Sequence, residues 1–263
     1  MTLLQDGITA AGFAAAPTTG PPYRPSAYGL LATVPVTDNA SLRLAPATFL
    51  SQAAPALTGE SVTDPCTVWA KAPNIPEDWL TTAQFALYGY WTCTPVGYTL
   101  AEATSRAHDG YMAGEAAGLE KLLWAWMLAK AGTPTAATGS QVALATAELA
   151  IARQYGGEGT LHMDRSSAIM LGTHLERYGS TLRTVACYTP VVVGDGYGPI
   201  PGVPGETHII ATGPVTVTRG PLVDVSNPPI VDRSLNDLAA LVERTYQVAI
   251  DLPAVVAVTA TTP

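Results

Sequence analysis

The chain has 263 residues, enough for one large domain or two, and 48% of them are hydrophobic against 13% charged, so it can bury a sizeable core. Its 21 acidic and 13 basic residues leave a net charge of −8, and without a basic cluster it is not built to grip nucleic acid through phosphates. No apolar run approaches a membrane span and residues 1–16 lack the basic start of a secretory signal, so the expectation is a protein that is cytoplasmic when made.

Low charge combined with 22 prolines and 24 glycines is unusual for an isolated soluble monomer, and it suggests a surface covered by copies of the same chain. Cys66, Cys93 and Cys187 are odd in number and widely spaced. They fit neither a disulfide scaffold nor a zinc site and read as ordinary thiols.

Residues 1–25 are rich in Ala, Thr, Gly and Pro, ending in Gly20-Pro21-Pro22-Tyr23-Arg24-Pro25, and read as an extended arm. YGLLATVPV at 28–36 has strand character, 42–44 is a second short strand, and 46–76 is punctuated by proline without helical period, which predicts a projecting, loop-rich β element. FALYGYWTC at 85–93 is a strand leading directly into a long helix over 99–132.

That helix is the organising element. Thr99 and Glu102 form a capping box at its start, while Lys130 in the last turn, a left-handed cap at Gly132 and Pro134 beyond it mark the end. At about 1.5 Å per residue it spans on the order of 48 Å, nearly the width of a compact chain of this size. Gly110, Gly114 and Gly118 lie on one face, each less favourable there than alanine by about 1 kcal/mol, and close approach of another backbone is the expected compensation. Leu119, Leu122, Leu123, Trp126 and Met127 have the spacing of a core-facing stripe.

Downstream, Thr138 and Gln141 make a second capping box, and Val142, Ala145, Leu149 and Ala152 mark a helix ending at Gly156-Gly157. A short buried strand is expected at 159–163, after which Asp164 caps a third helix running to Tyr178 and stopped by Gly179. Strands follow at 182–185, 190–193, 207–211, 215–218 and 255–258, with a turn at 194–198. Between them Ser234 and Asp237 suggest a short capped helix, whereas 243–251 reads more like a strand. The order strands, helices, strands predicts an α+β fold with a discontinuous domain.

No Walker loop, dinucleotide fingerprint, nucleophile elbow or HExxH occurs. His162 and Asp164 would share a face of a strand and could share a metal, but no third ligand is near; Asp164 as a helix cap with His162 packed beside it is the simpler reading. Gly194-Asp195-Gly196-Tyr197-Gly198 precedes a Pro-rich loop and not a helix, so it reads as a turn and not a phosphate site. His108, His174 and His208 stand alone, and Ser166-Ser167 fit a first helical turn. The residues therefore call for no catalytic group, cofactor or metal.

Taken in order, YGLLATVPV, FALYGYWTC followed by TPVGYT, a capped helix closing with GLEKLLWAW, GTLHMDRSSAIML, TPVVVGDGYG, ATGPVTVTRG and ERTYQVAIDLPAVVAV resemble the major capsid proteins of tailed bacteriophages, particularly short versions from phages of actinobacteria. The resemblance covers most of 28–258. It implies a Hong Kong 97-type fold with an N-terminal arm (1–27), an extended β loop and flanks (28–96), a spine helix (97–134) in a peripheral domain, an axial domain (135–233) and strands returning to the peripheral sheet (234–263). It further implies assembly as hexamers and pentamers into an icosahedral head shell around double-stranded DNA, with portal, a separate scaffold and decoration proteins as partners and the virion as location, reached from the host cytoplasm. Only Lys71 lies in the loop region, so no lysine crosslink is expected. The alternatives are an encapsulin-type nanocompartment or a tail component, and, further off, a small hydrolase using His162 and Asp164.

Overall fold

The computed structural model describes residues 24, 26–42, 47–51, 79–93, 99–200, 207–225, 230–232, 237–251 and 256–261. Nearly all of the expected arm, the candidate strand at 42–44 beyond Leu42 and most of the proline-punctuated loop lie outside these residues, as do Cys66 and Lys71.

Two sheets and one long helix organise the rest. Strand β14 (Asp237–Ile250) is the axis of a six-stranded sheet. Along one edge it pairs antiparallel with β4 (Ala83–Cys93), from Leu238 opposite Cys93 to Val248 opposite Ala83. Along the other it meets in succession β13 (Ile230–Asp232), β12 (Val223–Asp224) and β11 (Val215–Arg219), and β1 (Val36–Asp38) adds in parallel to β11. Helix α2 (Leu100–Ala131) lies across β4 and β14.

The second sheet has seven strands in the order β5 (Thr135–Thr138), β15 (Val256–Thr261), β10 (Thr207–Thr212), β6 (Thr160–Met163), β9 (Pro190–Val193), β8 (Thr181–Thr184), β7 (Leu175–Tyr178). Helices α3 (Ser140–Gln154) and α4 (Arg165–Leu171) cover one face of it, burying Ala143, Ala147, Ile151 and Leu171 against Leu161, Met163, Ile209 and Val258. The strands of this sheet are buried on both faces where β6 and β10 run, every residue of both being inside, the threonines and histidines included. A two-stranded ribbon of β2 (Thr48–Leu50) and β3 (Trp79–Thr81) is tied to the body where Ser51 Oγ donates to Asp251 Oδ1 at 2.7 Å.

Between the sheets, Leu119, Leu123, Trp124 and Met127 of α2 meet Val192, Ile210, Val217, Tyr246 and Val248. The buried row of α2 runs 103, 107, 111, 115, 119, 123, 127, one residue every fourth, so it drifts by about 40° per step and winds round the helix from one end to the other. This differs from the expected stripe: Leu122 is exposed and Trp126 only half buried, while Trp124 and Glu120 are inside.

Other expectations need correction. The segment 28–36 is not a strand. Residues Leu30–Thr33 form a single helical turn (α1), because Leu30 N–H is drawn to the Glu120 carboxylate and Val34 N–H closes back on Leu30, which outweighs the β preference of the residues. Thr138 does not cap α3. It is held in β5 opposite Thr261, and Gly139, with φ +85°, takes the cap position without a side-chain bond. Helix α4 stops at Gly172 (φ +32°), where the chain turns into β7 rather than continuing to Tyr178. Asp237 opens β14 instead of a helix, since pairing with Asp232 claims its backbone.

Candidate interaction surfaces and the joints that hold them

Two buried carboxylates hold α2 in place. Glu120 is enclosed, and its Oε1 accepts from Leu30 N–H at 2.9 Å while Oε2 accepts from Gly196 N–H at 2.9 Å. One side chain of the long helix thus fixes the α1 turn and the loop after β9, segments far apart in the chain. Burial raises its pKa above the ordinary carboxylate value; the two N–H groups oppose the rise and the nearby Asp195 carboxylate adds to it.

The loop at 194–198 is the expected turn, and its contact with α2 was not foreseen. A methyl at Gly196 would lie 2.0 Å from the Ala117 carbonyl oxygen, so only glycine lets the loop reach Glu120. Tyr197 follows, stacking on Trp124 with ring centroids 4.9 Å apart and meeting His162 Nδ1 through its hydroxyl at 3.0 Å.

Glu115 is the second tie. It accepts from Arg244 Nη1 at 2.5 Å and from the Tyr246 hydroxyl, which also meets the Tyr111 hydroxyl at 2.5 Å. Burial is the main cause that pushes Tyr111 up to about 12 and Tyr246 higher still, so both stay neutral donors. Arg219 extends the group to the edge strand β1 through a two-pronged bond to Asp38, at 2.7 and 3.2 Å.

The residues singled out from sequence fall into place unevenly. Thr99 and Glu102 make both bonds of the capping box, Thr99 N–H to Glu102 Oε2 at 2.8 Å and Glu102 N–H to Thr99 Oγ1 at 3.2 Å. Gly132 has φ +67° but ψ −135°, outside the left-handed helical well. Asp164 caps α4, accepting from Ser167 N–H at 2.7 Å. The glycine stripe is a correction: an added methyl at Gly110 or Gly114 meets nothing within 4 Å, and at Gly118 only the Leu87 side chain at 3.2 Å. The close backbone approach is made by the strand instead, where a methyl on Gly89 of β4 would sit 2.5 Å from the Ala107 carbonyl oxygen.

His162 is fully buried, between the Tyr197 hydroxyl and Thr212 Oγ1 at 3.1 Å, and burial holds its pKa down to about 3. Both ring nitrogens of His162 are thus taken by hydroxyls and Asp164 Oδ1 accepts the cap bond, so the hydrogen bonds of the two residues go to other partners. Among the described residues no group of three or more His, Cys, Asp or Glu is placed to share a metal, and no helix is long and apolar enough to cross a membrane. Sequence reasoning missed Glu115 and Glu120. The signal was present, since Glu115 sits in an every-fourth-residue row otherwise made of Ala, Tyr, Leu and Met.

Among the described residues, several large apolar side chains are exposed in groups. On the face of the six-stranded sheet turned from α2, Tyr88 and Tyr90 stand exposed, across β14 from Val223 and Val225. Val142 and Leu149 of α3, Ile169 and Met170 of α4, and Tyr178, Val185 and Tyr188 around the β7–β9 hairpins are exposed as well. Scattered single apolar residues are ordinary, but groups of them mark interaction surfaces.

No family model matches the sequence, and no curated protein is similar to it. Solved structures are. The SrpI encapsulin of Synechococcus elongatus, from its holo complex, is similar over 95% of this chain and 93% of its own at TM-score 0.58 and 11% identity. A chain from the capsid of an empty GTA particle is similar over 97% of this chain and 99% of its own, at TM-score 0.53 and 12% identity. The chain has the Hong Kong 97-type shell fold. A Mycobacterium phage Cain structure also aligns, over all of this chain and 96% of its own, at TM-score 0.49 and 13% identity. Within the shell fold, α2 is the spine helix, tied by Glu115 to β14 and by Glu120 to the α1 turn and the loop after β9.

Proposed function

We propose that this protein is the major capsid protein of a tailed bacteriophage, a structural subunit without catalytic role that assembles as hexamers and pentamers into an icosahedral head shell enclosing double-stranded DNA. The observation that carries this reading is the likeness to a capsid chain over 97% of this chain and 99% of the other. The grouped exposed apolar side chains and the low charge support it, because a subunit buried among copies of itself needs little charged surface.

In this reading residues 1–27 are an arm, 28–96 an extended loop strapping neighbours and 97–134 the spine of the peripheral domain; the division into 135–233 axial and 234–263 peripheral needs an exchange at its ends, because 215–219, 223–224 and 230–232 pair in the sheet of β14 while 256–261 pairs in the sheet of β10. The net charge of −8 suits a wall that must not bind packed DNA tightly. Portal, scaffold and decoration proteins are the further partners, and the protein ends in the virion after assembly in host cytoplasm.

The likeness to an encapsulin favours a second reading, a nanocompartment shell. The contents of particles separate the two. Particles purified from the native source and treated with nuclease should protect double-stranded DNA; a protein cargo without DNA would instead establish the nanocompartment.

A further inference from the structure

The Glu120 side chain is gripped from two sides. A methyl added at Gly29, just before α1, would lie 2.7 Å from Glu120 Oε1, and one added at Gly196 would lie 2.8 Å from Glu120 Cβ besides striking the Ala117 carbonyl. Glycine at both places lets two backbones close on one side chain. The same two stretches also bond to each other, because Val193 N–H donates to the Tyr28 carbonyl at 2.7 Å. Together with the bonds from Leu30 and Gly196 to Glu120, this closes a ring that joins residues 26–34, helix α2 and the loop at 194–198. Glu120 is 1% exposed, and among the described residues no lysine, arginine or histidine forms an ion pair with it. Its carboxylate is held inside by N–H donors, those of Leu30 and Gly196 with a weaker assist from the Asp195 backbone.

We infer that Glu120 is an all-or-none latch between residues 26–34 and the loop at 194–198, so that opening either end opens the other. The reason is the cost of a half-made site. A buried carboxylate that loses one of its two main donors is left under-bonded away from water, so it turns outward and gives up the second donor as well. The coupling is reciprocal, as any coupling between two sites must be. It makes the loop a remote handle on the place where residues 1–25 join the body. The handle is reachable: Asp195 pairs at 2.5 Å with Arg165, whose side chain is 65% exposed, and both line an open hollow of about 430 Å³. The latch belongs to the folded chain itself and does not depend on assembly.

The test is amide hydrogen exchange of the full-length protein, read residue by residue by NMR at neutral pH, comparing wild type with Gly29→Ala and Glu120→Asp. The first variant pushes the carboxylate from the α1 side and leaves the loop untouched; Gly29 has φ −68°, which alanine adopts without strain. The second keeps the charge but is one methylene too short to reach both donors. In Gly29→Ala the Gly196 N–H should exchange about tenfold faster than in wild type or more, and in Glu120→Asp the Leu30 and Gly196 N–H groups should both do so. Ile210, buried in the middle of β10 between β6 and β15, should stay within about threefold in both variants. A smaller rise at Gly196 in Gly29→Ala, or only one of the two amides freed in Glu120→Asp, would overturn the latch. So would an Ile210 N–H that quickens by the same factor, because unfolding of the whole chain would then account for the change.

Discussion

Gly196 and Gly114 are both glycines near α2, yet they predict opposite outcomes. An alanine at Gly196 drives a methyl into the Ala117 carbonyl and breaks the loop's bond to Glu120, so unfolding in urea should shift by on the order of 3 kcal/mol toward instability. An alanine at Gly114 has open space in a helix interior and should stabilise the isolated subunit by about 1 kcal/mol. His162 sets a pH dependence. Its folded pKa lies near 3 while an unfolded histidine titrates near 6.5, so between those values the unfolded chain binds a proton the folded one refuses and stability falls as pH falls. Replacing His162 with glutamine should remove a slope worth on the order of a few kcal/mol between pH 6 and 4, read from denaturation midpoints. Glu120 acts in the other direction: its raised pKa makes stability present below the ordinary carboxylate value and lost as pH rises through the folded one.

The elements show what the sequence could and could not carry. Helix α2 was legible at both ends because its cap is local; Thr99→Ala should cost roughly 1 kcal/mol of stability in thermal melts, the worth of one N-terminal cap. The strands β4, β6, β9, β10 and β11 were legible for the same reason, their patterns being intrinsic. Where a partner distant in sequence decides the conformation, local pattern misled: Glu120 draws residues 30–33 into a turn, and β15 takes Thr138 into a ladder. Helix α3 was legible as a helix, whereas the face it buries was not. Two rows at helical spacing are both apolar, and the alanines of the inner row suit close packing on a sheet better than Val142 and Leu149 do. The buried Glu115 and Glu120 were missed because a glutamate on a long helix is usually solvated.

At the scale of the molecule, the two sheets share one helix, whose two buried carboxylates reach partners 76 to 131 residues away in the chain. A chain tied in this way can hold its shape while aromatic and aliphatic groups stand exposed on it. The central claim is that this chain closes into a shell, and electron microscopy of the purified full-length protein in negative stain addresses it directly. The account predicts polyhedral particles or capsomer rings. A field of uniform particles the size of a single 27.3 kDa chain, persisting at high concentration under assembly-promoting conditions, would contradict it.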